Sequence, residues 1–245
     1  MKSQLRYPLL NIVFFVLAIY VNYLSVVTNL GGRTIRELSD KYANLFTPSN
    51  QTFAIWSLIY LLVMGFLMLQ FIKGFKTSIT QNPLFILSCV FNLSWIVFWQ
   101  FEYIFISLLV MLALLATLAR INLQLKEDGN LFFRLTFGVY LGWICIATIA
   151  NVTTFIVSTG CTLDVSVQQT ITIAMLAIGT GLVAWIMHQL NNPFLTIAVS
   201  WAFYGISVKR AVDHPLISTL ALAAMAVIAA WGIWITWKNR HHLIR

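Results

Sequence analysis

The sequence predicts an all-α, polytopic membrane helix bundle, and three observations support this fold class. Only 9% of the 245 residues are charged and 60% are hydrophobic, whereas a soluble domain carries about 25% charged residues. Eight apolar stretches approach or exceed the length of about 20 residues that crosses a bilayer as a helix. All five prolines lie at or before the start of such a stretch, where a helix tolerates them.

The predicted spans follow one another with mostly short polar connections. They cover residues 9–30, 52–72, 83–101, 103–125, 132–157, 167–190, 193–208 and 215–237. The seventh is the shortest. Asn82-Pro83 and Asn192-Pro193 are typical of an N-cap followed by the first helical residue, and they predict where the third and seventh spans begin. The longest polar connection runs from Gly31 to Gln51, and we predict a short interfacial helix within Arg33–Lys41.

The basic residues predict the orientation of the chain in the membrane. If all eight spans cross, one side holds ten of them: Lys2, Arg6, Lys73, Lys76, Arg120, Lys126, Arg134, Lys238, Arg240 and Arg245. The other side holds five: Arg33, Arg36, Lys41, Lys209 and Arg210. Because cytoplasmic loops are enriched in Lys and Arg, we predict a multi-pass protein of the cell membrane with both termini in the cytoplasm.

The distribution of charge and cysteine also limits the function. Lys and Arg outnumber Asp and Glu by 15 to 7, but they lie at span ends, where they meet lipid headgroups. We therefore predict membrane lipid, and not nucleic acid, as a partner. The three cysteines have no paired spacing, so neither a disulfide framework nor a metal site is predicted. No Ser-His-Asp set or metal cluster lies within the spans, and the residues alone do not predict an enzyme.

Aromatic and polar side chains share helix faces in the second and third spans. Phe53, Trp56 and Tyr60 stand at i, i+3 and i+7, so they lie on one face. The third span repeats this spacing with a polar residue first. Its face carries Asn92, Trp95 and Trp99 and ends at Glu102. An asparagine inside the membrane needs a partner, so we expect this face to point inward.

The fifth span carries a related face, with Tyr140, Trp143, Ala147 and Asn151 at i, i+3, i+7 and i+11. Ala147 leaves a gap between larger side chains. Such faces are compatible with two interpretations. One is a pocket for a flat apolar ligand, and the other is ordinary packing with interhelical hydrogen bonds. In contrast, Trp231, Trp234 and Trp237 precede Lys238 at a span end, as expected of a membrane-interface anchor.

The motifs in these three spans resemble the TspO/MBR family of tryptophan-rich sensory and translocator proteins, whose long bacterial members carry additional spans. The matching residues are Phe53, Trp56 and Tyr60 after Pro48; Asn92, Trp95, Phe98 and Trp99; and Tyr140, Trp143, Ala147, Thr148 and Asn151. The chain departs from the family pattern at Val139 and at Ile96-Val97, where the family has prolines, and at Gly65, which comes one residue late. The resemblance covers about residues 5–158. We therefore predict a five-helix core, 1–158, and a three-helix membrane extension, 159–245.

The resemblance implies a ligand pocket among the five helices, closed by the first loop. It implies porphyrin or haem as a ligand, without any required cofactor, and a homodimer as a candidate assembly. The ligand-binding residues that it implies are Phe53, Trp56, Tyr60, Asn92, Trp95, Trp99, Tyr140, Trp143, Ala147 and Asn151. We expect Arg33 to Gln51 to act as the lid of this pocket.

Three functions follow as hypotheses. The first is a binding or sensory protein for a flat hydrophobic small molecule such as a tetrapyrrole. The second is an enzyme that photo-oxidises a porphyrin, an activity that the resemblance implies for some bacterial members. The third is a small-molecule exporter or facilitator. No ionisable residue stands in the middle of a span, which argues against ion-coupled transport.

Overall fold

The fold is given by a computed structural model that describes residues 6–28, 30–33, 35–72, 83–128, 130–160 and 164–239. The described residues form nine α-helices and two short 3₁₀ turns. The helices are α1 Arg6–Val27, α2 Ile35–Lys41, α3 Ile55–Leu69, α4 Leu84–Gln100, α5 Ile104–Asp128, α6 Leu131–Ser158, α7 Val165–Leu190, α8 Leu195–Arg210 and α9 Pro215–Lys238. The turns are Leu30–Gly32 and Asn50–Ala54.

Each of the eight predicted spans coincides with one helix, and α2 is the short helix predicted within Arg33–Lys41. Six of the helices are long and apolar enough to cross a membrane, namely α1, α3 with the turn before it, α5, α6, α7 and α9. Helices α4 and α8 are shorter, with 17 and 16 residues. The all-α membrane bundle is therefore confirmed. The predicted cap at Asn82, Cys161, and the basic residues Lys2, Lys73, Lys76, Arg240 and Arg245 lie outside the described residues.

The predicted start of α8 is wrong by two residues. Pro193 and Phe194 form a turn, and the helix begins at Leu195. Asn192 is therefore not the N-cap of α8, which is Phe194; its Oδ1 accepts a hydrogen bond from the Phe194 N–H at 3.1 Å within the turn.

Helix α6 is the central helix of the bundle. It packs against α3, α5, α7 and α8, and most of its residues are buried. Near its start, Phe133 and Phe137 contact the ring of Phe66 from α3 edge-on, with centroids 4.9 and 5.1 Å apart. Since α6 contacts both α3 and α8, it joins the first five spans to the extension.

The extension docks on α6 through two glycines spaced by four residues. A Cβ at Gly142 would overlap the backbone of Leu195, and one at Gly138 would overlap the side chain of Asn192. Small residues at this spacing let membrane helices approach closely. Asn192 Nδ2 also donates to Asn122 Oδ1 at 2.8 Å and to the Arg134 carbonyl at 2.9 Å. The predicted division at residue 158 stays a prediction, and the two parts are packed together along α6 and α8.

Helix α8 runs from one end of the bundle to the other. Just before its start, Asn192 contacts the end of α5 and the beginning of α6. At its last residue, Arg210 donates to the carbonyl oxygens of Asn44 and Leu45, in the connection between α1 and α3. The end of the bundle that holds this connection is called the lid end below.

The lid, Arg33 to Gln51, is folded onto the bundle. Leu38 and Phe46 are completely buried. Asn44 Oδ1 accepts hydrogen bonds from the backbone N–H groups of Phe46 and Thr47, at 3.1 and 2.9 Å. Just before the lid, Gly31 has a φ of 82°, and a Cβ there would overlap the carbonyl oxygen of Gln100. A side chain at position 31 would therefore displace the start of the lid from the end of α4.

Candidate functional site

A cavity lies between α3, α4 and α6, directly below the lid. The cavity has a volume of about 60 Å³, which is room for about four waters. Its lining is mainly apolar and aromatic. The lining residues are Ser39, Thr47, Pro48, Phe53, Trp56, Trp95, Trp99, Trp143, Ile146, Ala147, Ala150, Asn151 and Thr154. We call this space the outer cavity.

Trp56 is the centre of an aromatic cluster that forms one wall of the outer cavity. Its ring stacks on Tyr60 and Trp95, with centroids 5.5 and 6.3 Å apart. The rings of Tyr140 and Trp143 contact it edge-on, at 5.9 and 6.3 Å. Offset-stacked and edge-on pairs at 4.5–7 Å are favourable. The i, i+4 spacing of Trp56 and Tyr60 along α3 explains why these two rings stack.

The cluster continues along α4 and up to the turn before α3. Trp99 lies one turn beyond Trp95, and their ring centroids are 6.3 Å apart. Phe53, which lies in the 3₁₀ turn rather than in α3, meets Trp143 edge-on at 5.8 Å. The outer cavity is thus lined by aromatic rings from four elements, namely the 3₁₀ turn, α3, α4 and α6.

Asn151 uses its side chain to connect three helices. Its Oδ1 accepts hydrogen bonds from Trp95 Nε1 at 3.2 Å and Ser107 Oγ at 3.4 Å, and its Nδ2 donates to the Ala147 carbonyl at 2.9 Å. Of the two interpretations of this residue, interhelical bonding therefore accounts for both contacts of its Oδ1, and the contact of its Nδ2 lies within α6. Its position also fixes the ring of Trp95 at the cavity wall.

Two other indoles at the outer cavity have no partner for their N–H groups. Trp99 Nε1 and Trp143 Nε1 are both buried and make no hydrogen bond within the part of the chain that the structure describes. A buried donor without a partner is costly. Both residues line the outer cavity, where a ligand oxygen would satisfy them.

A second, smaller cavity lies on the other side of the Trp56 cluster. Its volume is about 10 Å³, close to the space that one water needs. Tyr60, Asn92 and Tyr140 contribute to its lining. Among the described residues, the Asn92 side chain and the Tyr60 hydroxyl make no hydrogen bond of ordinary length, although Asn92 lies beside the Tyr140 hydroxyl and Asn22 beside the Tyr60 hydroxyl. We call this space the inner cavity, and its orphan groups are both donors and acceptors.

The ten predicted site residues therefore fall into two adjoining sets. Seven line the outer cavity: Phe53, Trp56, Trp95, Trp99, Trp143, Ala147 and Asn151. Tyr60, Asn92 and Tyr140 line the inner cavity, and the ring of Trp56 contacts both tyrosines. That these residues bind a ligand stays a prediction.

Sequence reasoning missed part of the lining. Ile146, Ala150 and Thr154 come from the same face of α6 as Ala147 and Asn151, and their i, i+4, i+8 spacing was a usable signal. The lid residues Ser39 and Thr47 gave no such signal, because the position of a loop over a cavity depends on tertiary contacts.

Glu102 holds the first half of the lid. Its carboxylate pairs with Arg33 at 2.6 Å and with Lys41, and it accepts a hydrogen bond from the Tyr42 hydroxyl at 2.7 Å. The hydrogen bonds donated by Lys41 and Tyr42 lower the pKa of this carboxyl. Glu102 lies in the short turn between α4 and α5, so this cluster connects the lid to the core helices.

The tryptophans of α9 lie apart from both cavities. Trp231 and Trp234 pack against His188 of α7, with ring centroids 6.3 Å away in each case. Lys238 lies 5.0 Å above the ring of Trp234. These contacts fit the predicted anchor at a span end. Among the residues that the structure describes, no three His, Cys, Asp or Glu side chains form a metal-binding group.

Comparison with known proteins connects this architecture to a family. Comparisons with curated proteins and with solved structures gave no significant match. The family model of the TSPO-like proteins matches residues 8–234. This match extends well beyond the motifs of the first five spans and includes α7, α8 and most of α9. The chain is therefore a member of the TSPO-like protein family.

Proposed function

We propose that this membrane protein is a binding or sensory protein for a flat, mostly apolar ligand that carries hydrogen-bond acceptors, with a tetrapyrrole as the candidate ligand. The observation that carries the proposal is the aromatic cluster around Trp56, at a cavity that also holds two indole N–H donors without partners. Membership of the TSPO-like family supports a membrane binding protein.

The chemistry of the lining matches such a ligand. Aromatic rings stack on flat apolar surfaces, and each good pair contributes about 1 kcal/mol beyond the burial of its area. The N–H groups of Trp99 and Trp143 would donate to carboxylate or carbonyl oxygens at the ligand's edge. Ligand pockets commonly combine apolar walls with a few such polar groups.

The outer cavity must enlarge to hold a ligand of this size. Pockets for drug-sized molecules enclose about 300–1,000 Å³, far more than the space below the lid. Two movements would supply the space. The lid would move away from the outer cavity, and the ring of Trp56 would rotate to join the outer and inner cavities. Asn92 and Tyr60 would then reach the ligand with their free polar atoms.

The test is a titration of the purified protein with a dicarboxylate porphyrin in the dark, followed by porphyrin absorbance. Trp56→Ala, Trp95→Ala and Trp143→Ala are each expected to weaken binding by several-fold, about 1 kcal/mol or more. Trp234→Ala is the matched control because it removes an indole outside both cavities, and it is expected to bind as the unchanged protein does. Equal affinity in all four folded variants would contradict the proposal.

The same samples are then illuminated, which separates binding from turnover. Stable porphyrin absorbance under light supports a binding or sensory role. Loss of absorbance that requires both light and protein supports the photo-oxidising enzyme instead. Transfer of the porphyrin across the membrane of sealed proteoliposomes would indicate an exporter or facilitator.

A further inference from the structure

The contacts of α8 with the lid give the C-terminal extension a role at the pocket. Arg210 donates to two consecutive lid carbonyls, that of Asn44 at 2.7 Å and that of Leu45 at 3.1 Å. Lys209 donates to the Pro48 carbonyl at 3.4 Å. Hydrogen bonds from a charged donor are among the stronger ones in proteins. The end of α8 thus holds the second half of the lid with two cations.

Two further hydrogen bonds continue this contact along α8. The Ser49 N–H donates to the Gly205 carbonyl at 3.1 Å, and Trp201 Nε1 donates to the Thr52 carbonyl at 2.8 Å. A Cβ at Gly205 would overlap the side chain of Thr52, so the helix and the chain touch closely at this point.

The segment that α8 holds is the segment that covers the outer cavity. Thr47 and Pro48 line the cavity, and the bonds from α8 go to the residues on both sides of them. Glu102 fixes only the first half of the lid, through Arg33, Lys41 and Tyr42. Opening the second half therefore requires breaking the contacts with α8.

We infer that α8 is the latch of the lid, and that through it the C-terminal extension sets how fast a ligand reaches and leaves the pocket. The contacts of α8 with the lid are present without any ligand. Their effect on ligand association and dissociation rates rests on the proposed function. The latch is intact in the closed free protein and in the closed complex. Weakening it therefore raises the association and dissociation rates by the same factor and leaves the affinity unchanged.

The first experiment measures the lid alone, by hydrogen exchange of the detergent-solubilised, ligand-free protein. The reporters are the backbone amides of the second half of the lid, above all that of Ser49, whose hydrogen bond to the Gly205 carbonyl joins the lid to α8; those of Phe46 and Thr47 bond to Asn44 within the lid. Arg210→Met is expected to speed their exchange about tenfold, because two charge-assisted bonds are lost. Trp201→Phe keeps a ring but loses one neutral bond, so about a fivefold increase is expected.

Lys126→Met is the matched control. Lys126 also donates to a backbone carbonyl, that of Gln189 at 2.9 Å, but at the end of the bundle opposite the lid. Its loss is expected to leave lid exchange unchanged. If Arg210→Met does not fold, Trp201→Phe still decides the question. Lid exchange that stays at the original rate in the folded variants overturns the latch, as does an equal increase in Lys126→Met.

The second experiment measures association and dissociation rates of a dicarboxylate porphyrin by stopped-flow in the dark. Arg210→Met is expected to raise both rates about tenfold, with the affinity kept within about twofold. A loss of affinity with an unchanged association rate overturns the latch and indicates a merely structural role. If the unchanged protein does not bind porphyrin, the proposed function fails, and the exchange experiment alone decides on the latch.

Discussion

Asn92 and Asn151 are both buried asparagines in the helix bundle, yet their side chains have different surroundings. Asn151 holds Trp95 and Ser107, whereas Asn92 only lies beside Tyr140 and makes no hydrogen bond of ordinary length to a described residue. A buried polar group without partners lowers stability. Sites built for ligands often carry such local costs. The contrast gives a way to separate structural from ligand-binding roles at single positions.

We predict opposite effects of the same substitution at these two residues. Asn92→Leu is expected to keep or raise the thermal stability and to weaken porphyrin binding about tenfold, because it removes unpaired polar atoms that the ligand needs. Asn151→Leu is expected to cost about 1 kcal/mol or more, because Trp95 and Ser107 lose their acceptor. The stability of each variant is measured by heating followed by size-exclusion chromatography, and its affinity is measured by porphyrin titration. A destabilised Asn92→Leu protein would show that Asn92 is a packing residue.

Residue-scale reasoning from the sequence reached the cavity walls but not their hydrogen bonds. The spacing of aromatic residues identified faces that do meet around Trp56. It did not distinguish Asn92 from Asn151, since both are asparagines on aromatic faces and the two donors to Asn151 Oδ1 come from other helices. For Glu102, the sequence predicted only a carboxylate at the end of the Asn92 face. Its ion pairs with Arg33 and Lys41 depend on how the lid folds back, which spacing along one helix does not encode.

At the scale of single elements, the lid is held by different chemistry at its two halves. The first half depends on the ionised carboxylate of Glu102. The groups that face this carboxylate are Arg33, Lys41 and Tyr42. The second half depends on cations and backbone carbonyls, which do not titrate in acid. Acid should therefore loosen the first half selectively.

We predict a pH-dependent opening of residues 38–42. The pKa of Glu102 is lowered in the folded protein, so its contribution is complete above the ordinary glutamate pKa of about 4.3. That contribution is lost as the pH falls through the lowered pKa. Hydrogen exchange, corrected for the intrinsic pH dependence, is expected to rise about two- to fivefold in acid, as for an exposed ion-pair cluster. Glu102→Gln should show fast exchange at every pH, and a pH step that survives in it would refute this assignment.

The elements themselves were largely predictable, because each span is a continuous apolar run bounded by polar residues or proline. Their partners were not. In a membrane nearly every helix face is apolar, so periodicity does not tell which faces meet. Gly138 and Gly142 had the small-residue spacing that marks a close contact, but nothing in the sequence pairs that face with α8. The short length of α8 likewise gave no hint of its contact with the lid.

At the scale of the whole molecule, the basic residues divide between the two ends of the bundle. Lys41, Lys209 and Arg210 lie at the lid end. Lys126 and Arg134 lie at the other end, where both donate to backbone carbonyls at the end of α7. Cations are favourable beside the carbonyl end of a helix. Both groups thus have structural roles in addition to any effect on orientation.

We predict that the lid end faces outward and that both termini face the cytoplasm, as the greater number of basic residues at the other end indicates. In a background with Cys161→Ser, Val212→Cys at the lid end should react with a membrane-impermeant maleimide on intact cells. Glu127→Cys at the other end should react only after lysis. Cys89 and Cys145 are buried and give a low background. The reverse labelling pattern would show an inverted orientation.

The hydrogen bonds between α8 and the lid have a consequence for which lid residues can vary in sequence. Each of the hydrogen bonds from α8 to this segment uses a backbone atom of residues 44–52. These hydrogen bonds therefore do not depend on the identity of most lid side chains. Leu45 also packs against the core through its side chain, but the hydrogen bond that its carbonyl accepts from Arg210 does not depend on which side chain stands there. Under the proposed function, changes in the lid side chains that line the cavity would alter which ligand binds, while the attachment to α8 stays the same.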